Sequence, residues 1–126
     1  MATTPKTVLI VEDSPAQELA LRQQLEQAGL HVLHAANGRT GVALARQHAP
    51  DAIVLDIELP EMNGLEACRR LKAHDQTAHI PILMLTAHHH ITEVMRGLDL
   101  GATDFIPKDA FSTVVLLETL RQLQIL

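Results

Sequence analysis

The sequence predicts a (βα)5 chain, a doubly wound α/β domain built on five parallel strands, and three observations predict it. Short apolar runs rich in Val, Ile and Leu alternate five times with longer amphipathic stretches. Runs such as Val8-Leu9-Ile10-Val11 and Ile53-Val54-Leu55 are apolar at every position, as strands covered on both faces require. Turn signals punctuate the pattern at Asn37-Gly38, Pro50-Asp51, Pro60, Asn63-Gly64 and Gly101.

The first strand is expected over Thr7–Val11. Ser14 then stands as N-cap before Pro15, opening a helix over Pro15–Ala28 that Gly29 closes at its C′ position. The second strand is His31–Ala35, and Asn37-Gly38 separates it from a helix over Thr40–His48. After Pro50-Asp51 comes the third strand, Ala52–Leu55; Pro60 and Asn63-Gly64 then lead into a helix over Leu65–Lys72. The fourth pair is Ile82–Leu85 with Ile91–Leu100, and the fifth, after Gly101, is Ala102–Ile106 with Phe111–Gln124.

Composition narrows the function classes. The 126 residues make one domain, 1–126, with its core over about 6–123, and leave no room for a second. Hydrophobic residues at 47% and charged residues at 20% mark a folded chain. The net charge is −5 with neither sign gathered into a run, which argues against direct nucleic-acid or anionic-membrane binding. No apolar N-terminal region or membrane-length run is present, so a cytoplasmic location is expected. Cys68 is the single cysteine, which excludes an intramolecular disulfide. With no Trp or Tyr and two Phe, sites built on aromatic stacking are disfavoured.

The chemistry sits where the apolar runs stop. Glu12-Asp13 follows the first strand, Asp56 the third, Thr86 the fourth, and Lys108 lies just past the fifth. In an open α/β sheet, ligands bind outside the carboxyl ends of the strands where strand order reverses, and the order 2-1-3-4-5 would gather these residues into one crevice. Three carboxylates at such spacing cannot all stay ionised without a cation between them. A hard divalent metal supplies it, and the set then reads as a phosphoryl-transfer site.

Taken together, Val8-Leu9-Ile10-Val11-Glu12-Asp13-Ser14, Ile53-Val54-Leu55-Asp56 with Pro60 and Gly64, Leu85-Thr86-Ala87 and Phe105-Ile106-Pro107-Lys108 resemble the receiver domain of two-component response regulators, from about Lys6 to Leu123. The resemblance implies a flavodoxin-like sheet of order 2-1-3-4-5. It also implies a phosphorelay signalling module that catalyses only its own phosphorylation and dephosphorylation. On that resemblance Asp56 is the phosphoacceptor, served by a histidine kinase or histidine phosphotransfer protein. Mg²⁺, or Mn²⁺, would be held by Glu12, Asp13, Asp56 and the backbone carbonyl of Glu58. Lys108 would pair with the acceptor carboxylate and then with the phosphoryl group, and Thr86 would donate its hydroxyl to a phosphoryl oxygen. Phe105 matches the family's switch aromatic, which rotates inward as Thr86 is drawn to the phosphoryl group. Glu58 and His88, two residues after Asp56 and Thr86, would flank the hydrolytic water and tune dephosphorylation. The output protein or domain is not indicated.

Several features depart from the family pattern. Asp109 stands where the family usually has proline after the lysine, and a cis bond there would cost about 3–4 kcal/mol, so a rearranged trans loop is expected. Phe111 comes one residue late. In the last helix Leu116, Leu117, Leu120 and Leu123 form one apolar stripe, and Phe111, Val114, Val115 and Ile125 a second. One stripe faces the sheet; the other is a partner or homodimer surface, the cut edge of a longer protein, or a face covered by loops. His88-His89-His90 cannot place three rings on one face, which argues against a structural zinc site. Two other functions draw on the same residues. A haloacid-dehalogenase-like phosphatase would use Asp56-Ile57-Glu58, but Leu59-Pro60 breaks its pattern; a flavin binder would present Glu12-Asp13 to a phosphate it should attract. A receiver that is never phosphorylated is a further alternative, against which the complete acceptor set argues.

Overall fold

Strands Thr7–Val11 (β1), His31–Ala35 (β2), Ala52–Asp56 (β3), Ile82–Thr86 (β4) and Asp104–Pro107 (β5) pair in parallel in the order β2-β1-β3-β4-β5, as the sequence predicts. Helices Pro15–Gln27 (α1), Gly38–His48 (α2), Gly64–Lys72 (α3), Ile91–Asp99 (α4) and Ser112–Gln122 (α5) alternate with them. The computed structural model describes residues 4–87, 91–109 and 112–126, and the backbone alone for 91–93.

Alternation along each strand divides the core into two layers. Leu9, Val11, Ile53, Leu55, Ile82 and Met84 pack with Ala45 of α2 and with Leu65, Cys68 and Leu71 of α3. Val8, Ile10, Val54, Leu83, Leu85 and Ile106 pack on the other face with Leu21 and Leu25 of α1 and Leu116 and Leu120 of α5. Burying each such Leu, Ile or Val contributes about 1.5–3 kcal/mol, so the two-sided sheet is the main source of stability and the rigid base of the site.

Boundaries move for identifiable reasons. The strands β3 and β4 each run one residue further than predicted and take in Asp56 and Thr86. Asn37 and Asn63 act as N-caps, their side chains accepting from Thr40 N at 2.8 Å and Glu66 N at 3.0 Å, so Gly38 and Gly64 open α2 and α3 instead of lying in turns. The start of β5 is two residues later than expected because Ala102 N–H is committed to Gly97 O at 2.9 Å at the end of α4.

The second stripe of the last helix needs correction. After α5 ends at Gln122, Gln124 takes a φ of 62° and Ile125 N–H donates to Leu120 O at 2.9 Å. The chain therefore folds back, and Ile125 is buried at 8% exposure. Val114 and Val115 do face solvent, at 65% and 40% exposure; Phe111 lies outside the described residues.

Candidate functional site

Four strand ends carry the site. Leaving β1, Glu12 is fixed at its backbone: its N–H donates to Ala35 O at 3.0 Å and its carbonyl meets His34 Nε2 at 3.0 Å. Asp56 is the last residue of β3, and Thr86, the last of β4, pairs in register with Pro107 of β5. Lys108 N–H donates to Thr86 O at 2.8 Å, which extends that ladder by one residue and aims the lysine back over the sheet. Among the described residues no peptide bond is cis, so Lys108-Asp109 is trans.

The side chains converge. Carboxylate oxygens of Glu12, Asp13 and Asp56 lie within 4.8 Å of one another. Glu12 and Asp56 are 1% and 2% exposed, whereas Asp13 is exposed. Lys108 Nζ donates to Asp56 Oδ2 at 2.8 Å and to Gln17 Oε1 at 2.9 Å, and lies 3.0 Å from Glu12 Oε2. The contact to Glu12 is an ion pair without hydrogen-bond alignment, so among the described residues Oε2 is buried with no aligned donor.

Burial pushes the Glu12 and Asp56 carboxyls above their usual range, against the pull of the Lys108 ammonium. Burial also pushes Lys108 down, but its hydrogen bond to Asp56 and its ion pair with Glu12 prevail and raise it. One ammonium faces three carboxylates, a charge of +1 − 3 = −2. Clustered hard oxygen donors, one of them a buried oxygen lacking an aligned partner, fit a small divalent cation such as Mg²⁺.

Glu58 follows two residues after Asp56. Its backbone N–H donates to Asp56 Oδ1 at 3.0 Å, while its side chain turns to β4, where Oε1 accepts from Thr86 Oγ1 at 3.0 Å and from Ala87 N–H at 3.3 Å. Burial pushes the Glu58 carboxyl up, but its bonds with Asp56, Thr86 and Ala87 outweigh that and hold it low. The expected facing of Glu58 and His88 cannot be described, because His88 lies outside the described residues, as do His89 and His90. Phe105 is half-buried, and its partner in register is Met84, two residues before Thr86, so ring and hydroxyl share one sheet face.

Gln17 and the Ala87 amide escaped the sequence reading. Gln17 is an ordinary polar residue in the first turn of α1, and it meets Lys108 only because the fold closes 91 residues of chain between them. A backbone amide has no sequence signal of its own, though the strand end at Thr86 marks where one becomes available.

A family model described as the response regulator receiver domain matches residues 8–121. The chain is 44% identical over 101 residues to the DNA-binding dual master transcriptional regulator RpaA of Synechocystis, covering 80% of this chain and 42% of that protein. It is 42% identical over 101 residues to Protein PilH of Pseudomonas aeruginosa, covering 80% of this chain and 84% of that one. The chain thus spans less than half of the first relative and most of the second. Among solved structures, Vibrio cholerae chemotaxis protein CheY4 superposes with a TM-score of 0.88 at 33% identity, over 94% of this chain and 98% of its own. The receiver domain of sensor histidine kinase PA1611 from Pseudomonas aeruginosa, solved with a magnesium ion coordinated in the active site cleft, superposes with a TM-score of 0.85 at 28% identity, over 94% and 97%.

Proposed function

Because this chain belongs to the response regulator receiver family of two-component signal transduction, we propose that Asp56 is its phosphoacceptor and that a histidine kinase or histidine phosphotransfer protein is its donor. The observation that carries the reading is the position of Asp56: last in β3, 2% exposed, bonded to Lys108 at 2.8 Å and clustered with Glu12 and Asp13. An Asp56 carboxylate oxygen attacks phosphorus, and a P–O bond forms as the donor's P–N bond breaks. The electron pair returns to the donor imidazole, which takes a proton from solvent.

Glu12, Asp13, Asp56 and the Glu58 carbonyl would hold Mg²⁺. When bound, the ion neutralises charge on the carboxylates and the incoming phosphoryl group. Lys108 follows the phosphoryl group with the N–H bond it now gives Asp56. Thr86 then donates to a phosphoryl oxygen, and Phe105, on the same sheet face, moves into the space released. Exposed Met95 and Leu98 on α4 and Val114 and Val115 on α5 offer an apolar surface through which an output protein, or a second copy, reads the change.

Incubation with acetyl phosphate and Mg²⁺ followed by intact-mass spectrometry tests the reading. One phosphoryl adduct is expected on wild type and none on Asp56→Asn or in excess EDTA. Labelling that survives either change would overturn it.

A further inference from the structure

Two hydrogen-bond donors at the end of β4 converge on a single oxygen, and that oxygen belongs to the protein itself. Thr86 Oγ1 and Ala87 N–H both donate to Glu58 Oε1, at 3.0 and 3.3 Å. Thr86 is 1% exposed, so its hydroxyl has little access to water in compensation, while Glu58 as a residue is exposed. The turn after β3 does not require this contact. It is held by hydrogen bonds from Glu58 N–H to the Asp56 side-chain Oδ1 at 3.0 Å, and along the backbone from Ile57 N–H to Leu85 O at 2.9 Å and from Gly64 N–H to Ile57 O at 2.9 Å. A long, exposed side chain gives up rotamer freedom to lie where it does, and the donor pair is what holds it there.

A hydroxyl and the next backbone N–H aimed at one anionic oxygen form the donor pair that stabilises charge on a transferring group. The pair stands beside Asp56, whose partner in register is Leu85, the residue before Thr86. We propose that Glu58 is an internal ligand of the phosphoryl subsite: its carboxylate occupies the Thr86–Ala87 donor pair as a tethered anion and must leave before a phosphoryl oxygen can take its place. The inference rests on Asp56 being the phosphoacceptor. It makes Glu58 a residue that sets how readily the site accepts an anionic phosphoryl group, acting before transfer.

The exchange is one of acceptors: Glu58 Oε1 gives up both hydrogen bonds and the incoming phosphoryl oxygen receives them. A second effect has the same sign, because the Glu58 carboxylate at the donor pair carries the same charge as an entering anion and repels it until it swings out. Apparent affinity falls by the fraction of molecules that are open, so a closed population of about nine in ten weakens an entering anion about tenfold.

Beryllofluoride, a phosphoryl-like anion, tests this in the presence of Mg²⁺, with binding to wild type, Glu58→Gln and Glu58→Ala measured by fluorine NMR titration. Both substitutions keep the backbone carbonyl assigned to the metal. Glu58→Ala is expected to bind about tenfold tighter than wild type, and Glu58→Gln to fall between, since it removes the charge and keeps an acceptor. The Ala87 amide resonance should shift in Glu58→Ala before any anion is added. Equal or weaker binding by Glu58→Ala, or an unmoved Ala87 amide, overturns the proposal. A Glu58→Ala, Asp56→Asn double variant separates the two readings: if it binds beryllofluoride as tightly as Glu58→Ala, the assignment of Asp56 fails; if binding needs Asp56 but ignores Glu58, this inference alone fails.

Discussion

The ring of Phe105 on β5 fills the space a Cβ on Gly97 of α4 would occupy, with Cε2 2.5 Å from that ideal position. The glycine therefore makes the slot in which the aromatic rests, and Leu65 Cδ2 of α3 lies 3.4 Å from the same point. Phe105 is half-buried because α4 lacks one methyl group.

Gly97→Ala is expected to expel the ring. Alanine in a helix interior favours folding by up to about 1 kcal/mol, but overpacking the slot opposes it by about 1–3 kcal/mol, so a net loss of stability should appear in urea titration. In a Gly97→Ala, Phe105→Ala double mutant the new methyl has room, and the two changes should be non-additive, with the double mutant more stable than the sum of the singles. Strict additivity would show that the ring does not depend on Gly97.

Gly64 meets backbone instead of a side chain. A Cβ there would lie 2.8 Å from Ile57 Cα and 2.9 Å from the carbonyl carbon of Asp56, atoms that cannot rotate aside. Gly64→Ala should shift the end of β3 that carries Asp56 and lower the rate of acetyl-phosphate labelling by about tenfold or more, as small misplacements at a reacting centre do. A labelling rate equal to wild type would refute this.

These two glycines mark the limit of what the sequence discloses. Strand order and the meeting of Glu12, Asp13, Asp56, Thr86 and Lys108 were legible because each residue ends an apolar run and one topology gathers all the ends. Gly64 was legible as punctuation but not as a close approach, since that depends on how tightly α3 docks on β3. The direction of the Glu58 side chain was not legible at all. An exposed acid has many rotamers, and only the distance to the Thr86–Ala87 donors selects one. Ile125 fell on the wrong side because helical periodicity was extended past the point where Gln124, at φ 62°, ends it.

Val114 and Val115, exposed on α5, should support association if they form a docking face. In sedimentation velocity, Val114→Glu with Val115→Glu is expected to lower any concentration-dependent association of wild type. Identical monomeric profiles at every concentration would remove self-association as the use of this face.

Glu66 on α3 is held down to about 2 by hydrogen bonds from Arg69 and Arg70, with burial opposing slightly. Its folded value lies below its unfolded one, so its contribution is complete above about pH 4.5 and lost as pH falls through about 2. The stability gap between wild type and Glu66→Gln should be present at about pH 7 and mostly closed near about pH 2. Because the acid and both arginines are solvent-accessible the gap will be small, and raising salt should shrink it further. A gap that is the same at both pH values would mean that the charge contributes nothing.

Asp56→Asn should make the metal-free protein more stable. Two nearly buried carboxylates, Glu12 and Asp56, share one ammonium, while Asp13 adds a third negative charge at the rim. Neutralising Asp56 leaves Lys108 paired with Glu12 and hydrogen-bonded to Gln17, so no buried cation is stranded. Burial has raised both carboxyls above their unfolded values of 3.8 and 4.5, so through that window the folded state binds more protons than the unfolded one. Stability therefore declines as pH rises through the raised values, and the penalty is present in full above them. Relief of such functional-site strain commonly stabilises by roughly 0.5–2 kcal/mol. Thermal melts in EDTA near neutral pH should place Asp56→Asn above wild type. Adding millimolar Mg²⁺ should raise wild type, because a ligand bound only by the folded state stabilises it, and should raise the variant much less. If the variant melts below wild type in EDTA, the Lys108 pair stabilises more than the crowded carboxylates destabilise, and the strain argument is wrong.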